Sequence, residues 1–325
     1  MALANSCFFR LRRSYQQFLS TFRRQFNTSQ ACSRSSSDPR VLNIGRIIKD
    51  EYATIRDRYQ TPKNPVVLAH GLLGFDELRL AGRILPGVHY WRGITEALTA
   101  NDVEIILTSV PPSASIEERA AKLSEDIEQK AAGKSVNIIA HSMGGLDARF
   151  MISQTKQPRI DVKSLTTIAT PHRGSAFADY CFERIGDQRL PKIYSTLQAL
   201  SIETGAFSQL TRHHMKEEFN PKTPDREGVA YFSYGAIDIP PLWSTFRQSH
   251  RIVEKEEGPN DGLVSVASSQ WGTYKGTLED VSHLDLINWT NRLRWLVWEM
   301  IGNKRNFNAI AFYLDIADML AKEGF

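Results

Sequence analysis

Apolar residues along the chain fall into two alternating rhythms. Short unbroken runs occur at Pro65–His70 (PVVLAH), Val103–Val110 (VEIILTSV), Val136–Ala140 (VNIIA) and Leu165–Thr170 (LTTIAT). Runs of this length, bounded by turn residues and lacking polar alternation, predict strands buried on both faces. Between the second and third, Ile116, Ala120, Leu123, Ile127 and Ala131 recur at helical spacing, which predicts a helix over 116–131. Ser115 and Glu118 supply a capping box at its start, each side chain satisfying the other's backbone amide. Alternating strands and helices predict an α/β domain with a mostly parallel central sheet, flanked by helices through right-handed crossovers.

Residues 173–227 break the rhythm. Pro191, Pro221 and Pro224 punctuate apolar residues such as Leu197, Leu200, Phe207, Leu210 and Phe219, so this stretch is expected to be several helices. The pattern alone divides evenly between a helical cap over a binding site and ordinary packing helices. Strand character resumes at Val229–Ile237 (VAYFSYGAI), and a Trp-rich helix is expected over Leu284–Ile301. An amphipathic helix carrying Phe307, Ile310, Leu314 and Leu320 closes the chain over 303–325, with docking on the core as its expected fate. The α/β domain itself is expected to span 40–302.

Charge changes the picture at one end. The first 37 residues hold six arginines (Arg10, Arg12, Arg13, Arg23, Arg24, Arg34) and no Asp, Glu or Lys, which leaves 34 basic against 36 acidic residues beyond them. A near-neutral body offers no electrostatic footprint for nucleic acid. Within the leader, Phe8, Leu11, Tyr15, Phe18, Phe22 and Phe26 recur at helical spacing among serines and arginines. That combination is the pattern of a mitochondrial transit peptide, and it predicts a matrix protein cleaved somewhere around residues 25–37. Cys7 and Cys32 lie in the leader, so Cys181 stands alone beyond it; it is expected to be a buried structural thiol in a reducing compartment. No apolar run is long enough to read as a transmembrane segment, so any membrane or lipid-surface contact is expected to be peripheral.

The candidate chemistry begins where the run VNIIA leads into His141-Ser142-Met143-Gly144-Gly145 and then the helical stretch Leu146–Phe150. A serine on a tight strand-to-helix turn, with small neighbours, is how α/β-hydrolases present a nucleophile. Ala140 stands in place of the first glycine of G-x-S-x-G. A second turn, His70-Gly71-Leu72-Leu73-Gly74-Phe75, follows the first buried run. It is placed to offer a backbone N–H, so the oxyanion donors are expected to be the amides of Leu72 and Met143. The base must follow the acid late in the chain, and His283 is the last of eight histidines. His213, His214 and His250 are expected to be solvated, while His70 and His141 flank site elements. For the acid, Asp261 on a turn and Asp238 after a strand are nearly equal, with Asp280 third. No cofactor is required by this chemistry, and neither glycine-bearing turn has the spacing of a nucleotide-binding loop.

The ordered motifs HGLLGFD, YWRGI (Tyr90–Ile94), VNIIAHSMGG, ATPHRGS (Ala169–Ser175), NDGLVSV and HLDLIN (His283–Asn288) resemble those of bacterial lipases of the Pseudomonas and Burkholderia type over residues 64–290. With its Arg-rich leader, the chain is similar to the mitochondrial triacylglycerol lipases of fungi. The resemblance implies a serine lipase acting on glycerolipid esters, triacylglycerol and diacylglycerol. Phospholipases, acyl-thioesterases and acyltransferases share the same triad and stay open. It implies Asp261 as the triad acid and Asp285 as a calcium ligand. Asp238 is the nearest match for a second calcium ligand, although the loop between it and Asp261 aligns poorly. The disulfide of the secreted relatives has no counterpart, because Cys181 lacks a partner.

Overall fold

The computed structural model describes residues 44–72, 77–78, 88–154, 160–183, 204–241, 244–289 and 307–325. The leader therefore lies outside the described residues. The strands are β1 (Ile47–Ile48), β2 (Val66–Ala69), β3 (Glu77–Leu78), β4 (Val88–His89), β5 (Ile105–Leu107), β6 (Val136–His141), β7 (Val162–Ile168), β8 (Ala230–Ile237) and β9 (Thr273–Glu279). Seven of them form one sheet in the order β1-β9-β8-β7-β6-β2-β5, and every pairing in it is parallel. β3 and β4 make a separate antiparallel pair.

Both faces of the sheet are covered, which is why its central strands read as unbroken apolar runs. Val66 and Leu68 of β2 face a cluster with Ile94 and Leu98 of helix α1 (Ile94–Ala100) and Phe312, Tyr313 and Ile316 of the last helix. Val67 and Ala69, one residue out of step, face Leu123 and Ile127 of α2 (Ile116–Ala131) and Met151 and Ile152 of α3 (Gly144–Gln154). The period-2 alternation of a strand thus serves two helical layers at once. Full burial of each such aliphatic side chain contributes about 1.5–3 kcal/mol.

Helix α2 has the expected bounds, with both halves of the Ser115–Glu118 capping box formed. Further along come α4 (Ala176–Glu183), α5 (Thr204–Gln209) and α6, a helical run from Arg212 to Lys222 with a π turn at Met215–Phe219. Leu210, Met215 and Phe219 from this region pack with Ile116, Met143 and Leu146. After β8 come α7 (Arg247–Glu257) and α8 (Val266–Ser269), and the chain ends in α9 (Ala309–Lys322), docked on the core.

Two expectations are corrected. The helix expected from Leu284 does not start there: a 3₁₀ turn at Asp285–Ile287 is closed by Asn288 at φ 61°, a left-handed conformation that interrupts a helix. Its remaining residues, 290–301, lie outside the described residues. His250 is not solvated but buried on α7, whereas His213 is exposed and His214 half-buried.

Candidate functional site

The order of the sheet locates the site. From β2 the chain steps to one side, to β5, and then returns to build β6, β7, β8 and β9 on the other. Connections leaving the carboxyl ends of β2 and β6 therefore diverge, and a crevice opens there in open α/β sheets. Ser142 sits at this point, in the turn between β6 and α3, with φ 55°. For a residue with a Cβ this left-handed backbone costs about 1–2 kcal/mol. Its amide donates to the Ile168 carbonyl at 2.9 Å, and its carbonyl accepts the Thr170 hydroxyl at 2.7 Å.

Two glycines make the turn feasible. A Cβ on Gly144 would come within 2.6 Å of the Ala69 and His70 carbonyl oxygens, and one on Gly145 within 2.2 Å of Thr170 Oγ1. Ala140, where the usual pattern has glycine, is buried with its methyl in the cluster around Leu123 and Ile138. Its φ is not positive, so the backbone there makes no demand for glycine.

His283 and Asp261 arrive from loops flanking β9. His283 Nε2 lies 3.0 Å from Ser142 Oγ, and His283 Nδ1 lies 2.7 Å from Asp261 Oδ2. The other carboxylate oxygen, Oδ1, accepts the amides of Leu263 at 3.0 Å and Val264 at 2.9 Å. A backbone bond from His283 N to the Asp261 carbonyl, 3.0 Å, ties the two loops together. Gly262 at φ 108° permits the tight turn that aims the carboxylate. All three residues predicted from the sequence converge.

The carboxylate at His283 Nδ1 is that of Asp261, not Asp238. Asp238 is buried just beyond β8, and its amide donates to the Asn260 carbonyl at 3.0 Å. Asp285 closes the turn that carries His283, its Oδ2 accepting Ser282 N at 3.0 Å and Ser282 Oγ at 2.6 Å. Among the described residues no three His, Cys, Asp or Glu side chains gather as a metal-holding group. No step of the reaction is routed through a metal at Asp285 or Asp238.

Met143 follows Ser142 directly and Leu72 follows Gly71, and among the described residues neither the Leu72 nor the Met143 amide donates to another protein group. Leu73 and Phe75 lie outside the described residues. Gly71 is pressed against the serine: a Cβ there would sit 2.8 Å from Ser142 Cβ. Behind this turn lies Arg119, fully buried on α2. Its guanidinium donates to the carbonyls of His70 at 2.9 Å, Gly71 at 3.2 Å and Pro111 at 2.7 Å, and to Asp147 Oδ2 at 2.9 Å. Burial outweighs this pairing and pushes the Asp147 carboxyl up to about 6. Burial also holds His70 down to about 4, aided by Arg119. With Val110 N donating to His70 Nε2 at 3.2 Å, the neutral ring carries its proton on Nδ1 and donates to the Gly71 carbonyl at 3.0 Å.

Arg119, Asp147, Tyr90 and Thr170 were not singled out by sequence reasoning. Arg119 did leave a signal, since it lies three residues from Ile116 and four from Leu123 on the apolar stripe of α2. A charge in that position points to a buried pair. Cys181 is a free, buried thiol, as expected, and burial pushes it up to about 11, far from a reactive thiolate.

A serine held in a strained strand-to-helix turn at the switch point of a parallel sheet, backed by histidine and aspartate from later loops, defines an α/β-hydrolase. The crystal structure of Staphylococcus hyicus lipase superimposes with a TM-score of 0.58 at 20% identity, covering 83% of this chain and 98% of that one. Residues 94–205 match the family model of the PGAP1-like alpha/beta domain. The chain is 38% identical to triacylglycerol lipase 2 of Saccharomyces cerevisiae over 322 residues, which is 83% of this chain and 95% of the yeast protein. It is 25% identical to the triacylglycerol lipase of Pseudomonas fragi over 302 residues, 80% of this chain and 97% of that one. The chain belongs to the triacylglycerol lipase family, a group of carboxylic ester hydrolases.

Proposed function

We propose that this protein hydrolyses the ester bonds of triacylglycerol and diacylglycerol through an acyl-enzyme on Ser142. The observation that carries the reading is the unbroken chain Ser142 Oγ–His283 Nε2, His283 Nδ1–Asp261 Oδ2, at 3.0 and 2.7 Å. His283 takes the proton of Ser142 as Oγ attacks the acyl carbonyl carbon. Asp261 accepts from Nδ1–H, which leaves Nε2 free as the base and stabilises the imidazolium. The Leu72 and Met143 amides receive the oxyanion. His283 returns its proton to the departing glyceride alcohol, and a water molecule repeats the attack to release the fatty acid.

The chain's own groups complete this cycle, so the reaction requires no cofactor. Apolar Leu72, Met143 and Leu146 around the serine suit an acyl chain, and the helices within 173–227 that pack on them support reading that stretch as a cap. Ser142→Ala is expected to abolish hydrolysis of trioctanoin and dioctanoin while the protein stays folded by circular dichroism. Retained hydrolysis would overturn the assignment. Parallel assays on phosphatidylcholine and acyl-CoA, with and without EDTA, test the substrate class and the independence from calcium. The leader supports a mitochondrial matrix location; import of the full chain but not of a 38–325 truncation into isolated mitochondria is the expected result.

A further inference from the structure

Tyr90 is buried, and its hydroxyl touches two pieces of the site. Gly71 N donates to Tyr90 Oη at 3.0 Å, and His141 Nδ1 lies 2.7 Å from the same oxygen. A phenol has one proton to give. With the Gly71 amide as donor, that proton is available to His141 Nδ1, and we assign Nδ1 as its acceptor. That assignment puts the proton of the neutral His141 ring on the buried Nε2. The two imidazoles of His141 and His283 pack with centroids 4.6 Å apart at 45°. Burial, then the nearness of His283, holds His141 well below the usual histidine range, so no second cation competes when His283 takes up a proton.

We propose that Tyr90 is a positioning residue: its hydroxyl locks the Gly71–Leu72 turn, which supplies one oxyanion donor, to the His141 ring against which His283 packs. The proposal rests on the hydrolase reading above. Its logic is geometric. Gly71 lies directly before the Leu72 amide and against Ser142 Cβ, so a shift of its backbone moves the oxyanion donor relative to the nucleophile. Donor placement within a few tenths of an ångström is what transition-state stabilisation demands. The ring of Tyr90 has its own packing role, edge-on to Trp91 at 4.9 Å and against His70 at 5.6 Å. Removing only the hydroxyl separates that role from the one proposed.

Tyr90→Phe is therefore the test, with p-nitrophenyl butyrate as substrate and an alkyl boronic acid as a probe whose tetrahedral adduct places an oxygen in the oxyanion position. The expected result is a kcat about 10- to 100-fold lower with KM within about twofold. Boronate affinity should fall by a similar factor, while the thermal midpoint changes by only a few degrees. His141→Asn, whose Oδ1 can still accept the phenolic proton, should keep more boronate affinity than His141→Leu. Should Tyr90→Phe misfold, that ordering of the two His141 variants decides the matter. Unchanged kcat and boronate affinity in Tyr90→Phe, lost stability with intact kcat, or equal affinities in the two His141 variants would overturn the proposal. Wild-type protein that neither hydrolyses the ester nor is labelled at Ser142 by a fluorophosphonate would instead defeat the hydrolase reading, so the two failures are distinguishable.

Discussion

The buried pair behind the oxyanion turn allows a quantitative prediction. Arg119 is 0% and Asp147 1% exposed, and the Arg119 guanidinium makes contacts with Asp147 and with three backbone carbonyls. Arg119→Met keeps the approximate length of the side chain while removing every donor. It leaves the Asp147 carboxylate and the three carbonyls without their guanidinium donor in the interior, and orphaning one partner of a buried pair costs about 3–5 kcal/mol. At about 2–4 °C per kcal/mol for a chain of this size, the thermal midpoint should fall by roughly 10 °C. Adding Asp147→Asn removes the orphaned charge, so the double variant should recover about 1.5 kcal/mol relative to Arg119→Met. The pH dependence carries its own sign. The Asp147 carboxyl titrates at about 6 when folded against 3.8 unfolded, so between those values the folded state binds more protons. Its ionisation therefore costs stability as pH rises from about 4 to 6. Urea unfolding across that window should show the stability of wild type falling relative to that of Asp147→Asn as pH rises. An Arg119→Met variant within about 1 kcal/mol of wild type, or a double variant no more stable than the single, would refute the reasoning.

Other expectations follow from individual contacts. Asp261→Asn leaves the hydrogen-bonding shape but favours the wrong His283 tautomer, so kcat on p-nitrophenyl butyrate should fall by about 10⁴ at neutral pH; Asp238→Asn should fall far less, and the reverse order would move the acid to Asp238. Gly144→Ala would drive a methyl to 2.6 Å from two backbone oxygens and should leave little folded protein in soluble expression. Gly133→Ala meets nothing within 4 Å and should cost only about 1 kcal/mol, for its positive φ, in denaturant titration. Ser115→Ala removes one half of the capping box and should lower stability by about 1 kcal/mol.

What the sequence disclosed and what it withheld divides along physical lines. β2 and β6 are buried at every position, and a strand covered on both faces leaves an unbroken apolar run. β9 reads TYKGTLE and is buried only over its Gly276–Leu278 portion, while β1 is two residues long at the sheet edge; neither leaves a periodic trace. In α7 the buried positions are Ser249, His250 and Val253, too polar a stripe to read as a core-facing helix. Ser142 was legible because its turn needs small residues at fixed positions, and His283 because chain order left it as the last histidine. Asp261 precedes an apolar stretch and Asp238 follows one, and what separates them is the turn at Gly262 and the Leu263 and Val264 amides that orient one carboxylate. Those are backbone groups, and every residue type carries them. The same holds for Tyr90, whose hydroxyl bonds to an amide, and for three of Arg119's four acceptors. A site built from side chains meeting side chains can be anticipated from composition and order. One braced by side chains meeting backbone becomes visible only when the chain is folded, and here that bracing lies directly behind Ser142.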